Sequence, residues 1–246
     1  MKEVSLHTYK VTMDYVFSEI PSEKTIVNTI NPHSYITAKK DKLFAQALQN
    51  SDVLLPDGIG IIWAIKKKYG IQAEKVAGAD FHEMILKKLN ELHSKIFYLG
   101  GAKKTLTSIE KRIEKEFPNI QTSSYSPPFK DDFSNQENQE MVRLINDFNP
   151  DVLFVGMTAP KQEKWIENNK HHLNVKVISG IGAVFDFFGG TRKRPPQWMI
   201  HYNMEWLGRF LKEPRRMWKR NFISTPLFIL EILAQRDKTQ KDIPPC

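Results

Sequence analysis

The feature that most constrains this chain is a rhythm in roughly its first 190 residues, where short apolar runs alternate with longer amphipathic stretches. The runs predict strands at 25–30, 52–55, 95–99, 151–155 and 175–179, with a weaker one at 119–123. Runs of about five residues that are mostly continuously apolar suit strands buried on both faces of a parallel sheet. Helices are predicted over 33–49, 59–69, 80–93, 103–117, 135–148 and 160–171. Leu43, Ala47 and Leu48 share one helical face; Ile109, Ile113 and Phe117 share another, which Pro118 ends. The polar stretch 123–138, with Pro127-Pro128, reads as a loop. This alternation predicts an α/β fold, a Rossmann-like, doubly wound and mostly parallel sheet.

Ligands of such sheets bind beyond the carboxyl ends of the strands. The residues found there are Thr29 and Asn31, then Pro56-Asp57-Gly58, then Gly100-Gly101, then Gly156 to Glu163, then Gly180-Ile181-Gly182 to Asp186. Glycine lets backbone amides approach a phosphate, and a following helix start favours negative charge. The same residues also make ordinary turns. Taken together they predict a nucleotide or sugar-nucleotide site. A dinucleotide fingerprint is disfavoured, because Gly180-x-Gly182 lacks the third glycine and the later acidic residue; no Walker A motif occurs.

Single residues admit two readings each. Asp57 is either the N-cap of the next helix or a general base that deprotonates an attacking hydroxyl. Gln162 and Glu163 either complement a helix start or contact a base or sugar hydroxyls. Asp186, among Phe185, Phe187 and Phe188, needs a partner, structural or ligand. His33, after Asn31-Pro32, either caps a helix or touches ligand. No Asp-x-Asp pair and no plausible metal-ligand set occurs, so neither a metal nor a cofactor is expected. The charge of a leaving diphosphate then falls to Lys, Arg and helix N-termini.

Charge separates two regions. The chain is +8 overall, yet residues 1–191 hold 24 basic against 23 acidic side chains. Residues 192–222 hold nine basic residues opposed by only Glu205 and Glu213. Interleaved with them are Trp198, Tyr202, Trp206 and Phe210 at intervals of four, then Trp218 and Phe222. The division expected is an α/β donor-binding domain at 1–191 and a basic, aromatic helical appendage at 192–246. The appendage reads as a helix docked on the core, as a nucleic-acid binder, or as a segment lying on an anionic membrane. The apolar run 222–234, directly after the cations, favours the membrane over nucleic acid. The single cysteine, Cys246, fits a reducing compartment, and residues 1–10 have no apolar core of a secretory signal. No run approaches the ~20 apolar residues that span a bilayer. The expectation is a cytoplasmic protein held peripherally on the inner face of the membrane.

The strand-end motifs together resemble those of the WecG/TagA/CpsF family of glycosyltransferases. The pieces are Thr29-Ile30-Asn31-Pro32, Leu55-Pro56-Asp57-Gly58-Ile59-Gly60, Val76-Ala77-Gly78-Ala79-Asp80 and Phe97-Tyr98-Leu99-Gly100-Gly101. They continue with Ala159-Pro160-Lys161-Gln162-Glu163, Gly180-Ile181-Gly182-Ala183-Val184-Phe185-Asp186 and Glu205-Trp206-Leu207-Gly208-Arg209, then Glu213-Pro214-Arg215-Arg216. The likeness runs collinearly over about residues 25–222. It departs at Thr158, where the family often has glycine. The resemblance implies inverting, metal-independent transfer of an N-acetylmannosamine-type sugar from a UDP donor. The implied acceptor is a polyprenyl-diphosphate-linked sugar, normally N-acetylglucosamine, for bacterial surface polysaccharides such as teichoic acid. It implies Asp57 as catalytic base with Thr29 beside it, and a donor pocket lined by Asn31, Gln162 and Asp186. Gly100, Gly101 and Gly182 join that pocket through the strand-end reading. Arg209, Arg215 and Arg216 are the expected diphosphate contacts. An RNA-binding enzyme and a noncatalytic partner of another transferase are the rival readings, and a homo-oligomer stays open.

Overall fold

The computed structural model describes residues 2–192, 196, 199 and 205–234; the side chains of Glu205, Arg209, Lys212 and Arg216 lie outside that set, as do Trp198 and Tyr202 of the aromatic stripe. The main sheet comprises β3 (Thr25–Ile30), β4 (Val53–Pro56), β5 (Lys95–Gly100), β6 (Gln121–Tyr125), β7 (Val152–Gly156) and β8 (Val177–Gly180). Its order is β4-β3-β8-β7-β5-β6, and every pairing is parallel. The chain steps outward from β3 to β4 at one edge and from β5 to β6 at the other. It then fills the centre with β7 and β8, which leaves the switch of direction between β3 and β8, where such sheets bind ligands.

The apolar runs become two-faced strands. Val27, Leu55, Tyr98, Phe154 and Val177 pack on one face under Phe81 and Leu89 of α4 (Gly78–Leu92) and Ile109 of α5 (Lys103–Glu116). Ile26, Leu153, Val155 and Ile178 pack on the other under Ile145 of α6 (Asn135–Phe148) and Ile166 of α7 (Lys161–Asn169). Each such side chain, fully removed from water, contributes about 1.5–3 kcal/mol.

Three elements differ from the sequence reading. The stretch 33–49 is two helices, α1 (Pro32–Ala38) and α2 (Lys42–Gln49). Asp41 starts the second, its carboxylate accepting the Phe44 amide at 3.0 Å. A short helix, α8 (Ala183–Phe188), follows β8. Residues 2–13 form an antiparallel hairpin, β1 (Lys2–Leu6) and β2 (Tyr9–Met13), which buries Val4, Leu6, Tyr9, Val11 and Met13.

The C-terminal region continues with α9 (Glu205–Lys212), α10 (Pro214–Trp218), a π-helical turn (Lys219–Ser224) and α11 (Thr225–Ala234). α11 returns to the sheet domain. Phe228 is fully buried edge-on to the Tyr35 ring of α1, centroids 5.0 Å apart, in a cluster that also holds Ile61 and Ile65 of α3 (Ile59–Tyr69). Glu231 on α11 pairs with Lys39. Among the described residues no helix is long and apolar enough to cross a membrane.

Candidate active site

A cavity of about 560 Å³ opens at the carboxyl edge of the sheet, over the switch between β3 and β8. One wall comes from the ends of β3 and β4 and carries Thr29, Asn31, His33 and Asp57. The opposite wall comes from the loop after β7, the start of α7 and the loop after β8; it carries Thr158, Gln162, Glu163, Gly180 and Gly182. The C-terminal region closes a third side with Arg192, Gly208, Glu213, Met217 and Arg220.

Asp57 is held on the first wall because its amide donates to the Ile30 carbonyl at 2.8 Å, carrying the β3–β4 ladder one residue further. It is not a helix cap: the N-cap of α3 is Gly58, at φ 90°, and no side chain caps that helix. The left-handed conformation there is one that glycine adopts at little cost. No described residue hydrogen-bonds or ion-pairs with the Asp57 carboxylate, which leaves it for a ligand hydroxyl. Asn31 divides its amide. Its Oδ1 accepts the Ser34 N–H at 3.0 Å and caps α1, while Nδ2 has no described partner.

The second wall bonds most of its polar atoms to one another. Gln162 Oε1 accepts the Gly182 amide at 3.1 Å, and its Nε2 donates to Glu163 Oε1 at 2.9 Å. The glycines here have a packing reason: a Cβ on Gly180 or on Gly182 would sit 2.9 Å from the Gln162 side chain. Glu163 is buried, its Oε2 has no hydrogen-bond partner, and burial pushes its carboxyl up to about 7. Thr158 holds φ 68°, a left-handed geometry that favours glycine.

Other expected residues lie elsewhere. Gly100 and Gly101 do not line the cavity. Gly100 turns at φ 106°, and its Cβ would meet the Gly156 carbonyl oxygen at 2.6 Å, so glycine is needed there for backbone approach. Asp186, on α8, is also outside the lining; it pairs with Arg192 at 3.2 Å and accepts from Thr191. Arg192 in turn pairs with Glu213, so one guanidinium ties the end of the sheet domain to the C-terminal helices. Of the expected arginines, Arg215 is exposed on α10 and off the cavity lining, and the side chains of Arg209 and Arg216 lie outside the described set. Arg192, Arg220 and Glu213 line the cavity without having been singled out as site residues. Their sequence distance from β3 hid them. Glu163 stands beside Gln162 in the sequence motif, but its burial is a tertiary property that no local pattern reports.

The protein-family model described as "Glycosyl transferase WecG/TagA/CpsF family" matches residues 2–242. Three curated relatives carry the name N-acetylglucosaminyldiphosphoundecaprenol N-acetyl-beta-D-mannosaminyltransferase. One from Bacillus subtilis (strain 168) is 32% identical over 235 residues, 95% of this chain and 89% of that protein. One from Bacillus spizizenii is 29% identical, over 93% of this chain and 91% of that protein. One from Staphylococcus aureus (strain MW2) is 26% identical, over 92% and 86% respectively.

Proposed function

The chain belongs to the WecG/TagA/CpsF family of glycosyl transferases, and from that premise we propose that it transfers N-acetylmannosamine from a UDP donor to N-acetylglucosamine-diphosphate-polyprenol by a single, metal-independent displacement. The observation that carries the reading is the Asp57 carboxylate, without a partner among the described residues, in the lining of a cavity large enough for a nucleotide sugar. Asp57 accepts the proton of the acceptor hydroxyl as that oxygen attacks the anomeric carbon, and the nucleoside diphosphate leaves with the bonding electrons. Thr29 and the free Asn31 amide nitrogen flank the reacting centre. Arg220 offers charge to the departing diphosphate. The relatives' names specify a β-linked product, which one inversion yields from an α-linked donor.

The acceptor's lipid tail asks for a membrane, and the C-terminal region supports one. Trp206, Leu211, Trp218, Phe222, Ile223, Leu227, Leu230 and Leu233 are all exposed there. These exposed apolar side chains, with exposed Arg215 and Lys219 on the same segment, fit a peripheral seat on anionic lipid, on the cytoplasmic face. The domain division at residue 191 belongs to the same reading: the sheet holds the donor, and the appendage meets the lipid.

The test is mass spectrometry of the product from the purified chain, given a panel of UDP-sugars and a lipid-diphosphate-N-acetylglucosamine acceptor. Addition of one N-acetylhexosamine from the UDP-N-acetylmannosamine arm is expected. Addition from the uronic acid arm alone, or from no arm, contradicts the proposal.

A further inference from the structure

His33 joins the two halves of the cavity, yet the reaction as described gives it no task. It stands on α1, two residues after Asn31, and lines the same cavity as Asp57. Its Nδ1 lies 2.9 Å from the hydroxyl of Ser224, a buried residue at the end of the π-helical turn. Arg220, on that same turn, lines the same cavity. The contact spans 191 residues of sequence and makes His33 part of the seam between sheet domain and C-terminal region.

Among the described residues, charged groups reach this imidazole from three sides. Lys219 and Arg220 approach from the turn. Asp57 and Glu163 line the cavity from the two walls, with Arg192 and Glu213 on its third side. On α1 itself Tyr35 is buried in the opposite core, and Lys39 is engaged by Glu231 of α11. Burial first, and the charges of Arg220 and Lys219 second, hold the imidazole below its usual 6.5. A neutral ring is therefore the resting state at neutral pH.

We propose that His33 and Arg220 bind one phosphate of the substrate diphosphate across this seam, and that His33 takes up a proton as the anion arrives. Ser224 suits both states of the ring. A hydroxyl donates to Nδ1 of the neutral imidazole and accepts from Nδ1–H of the charged one, so charging the ring leaves no buried group unpaired. The cations that disfavour a charged His33, Arg220 and Lys219, are groups a phosphate neutralises. The anion thus removes much of the penalty on protonation while gaining a second charged donor. This inference rests on the transferase reading, which supplies the diphosphate. That diphosphate has two sources, the nucleotide donor and the lipid-linked acceptor.

The test is titration calorimetry at pH 7 in two buffers of different ionisation enthalpy, using UDP in one arm and a short-chain prenyl diphosphate in the other. Wild type is expected to take up a substantial fraction of one proton with at least one of these ligands. The arm that shows uptake identifies the source. In His33→Gln the uptake is expected to vanish and affinity for that ligand to weaken about tenfold. Arg220→Gln supplies an independent variant: it relieves the resting ring, so its imidazole proton resonances titrate at higher pH in the free protein and uptake at pH 7 shrinks. Ligand binding without proton uptake in wild type, or equal uptake in His33→Gln, overturns the inference and leaves the transferase reading standing. Failure of both ligands to bind overturns both.

Discussion

The two walls of the cavity are built on opposite plans. The β3–β4 wall presents groups with capacity to spare: the Asp57 carboxylate and the Asn31 amide nitrogen have no described partner. The β8–α7 wall spends its amide groups on itself, with Gln162 bonded to Gly182 on one side and Glu163 on the other, and leaves the buried Glu163 Oε2 without a partner among the described residues. The same small and polar residue types thus serve two ends. Where backbone geometry already holds a side chain in place, its functional group remains for substrate. Where side chains pack beneath glycines, they fix the shape of the pocket and leave little for chemistry.

If that division holds, damage to the first wall should remove turnover and spare binding. Asp57→Asn keeps the shape of the side chain and loses the base. Transfer is expected to fall by about 10²–10⁴-fold, while UDP binding measured by calorimetry stays within a fewfold of wild type. Near-normal turnover would place the proton elsewhere.

The second wall should reveal itself through stability. Glu163 titrates at about 7 in the fold against its ordinary 4.5. The fold therefore binds more protons than the unfolded chain between those values. Stability from this group is full below pH 4.5 and is lost as pH rises through 7, by at most about 3 kcal/mol. Glu163→Gln should flatten that slope in urea unfolding curves from pH 4.5 to 8 and leave the mutant the more stable protein above pH 7. A slope unchanged by the substitution would mean that Glu163 is not the group responsible.

Gly180→Ala is the smaller probe of the same wall. Its new methyl meets Gln162 at 2.9 Å, and crowding of this kind costs about 1–3 kcal/mol. Weaker UDP binding, with the rate of bound substrate nearly kept, would sharpen the comparison. A rate defect with normal binding would break it, because the wall would then be acting in the chemistry.

How much of this the sequence carries follows from where each signal resides. Strands at the sheet centre are legible because burial on both faces leaves an unbroken apolar run, as in Val152 to Val155. Asp57 is legible because Pro56 and Gly58 isolate one carboxylate at a strand end. The hairpin at 2–13 carries a period of two, with buried Val4 and Leu6 flanking exposed Ser5, but its strands are too short and too polar to stand out as apolar runs. The break between α1 and α2 rests on one capping carboxylate, Asp41, inside a pattern that otherwise stays helical. Strand-end glycines in the sequence suggest room for phosphate; at Gly180 and Gly182 the neighbour that needs the room is Gln162, far away in sequence. Arg220, Arg192 and the His33–Ser224 contact depend on the return of the C-terminal region to the cavity, which no local pattern encodes.

The central claim is a single displacement through one base on one wall. The most direct measurement is the anomeric configuration of the newly formed linkage, read by nuclear magnetic resonance on product made by the purified chain from an α-linked UDP donor. A single displacement with Asp57 as base predicts a β-linked product. An α-linked product would require a second displacement or a different geometry of attack, and would contradict the role assigned to Asp57.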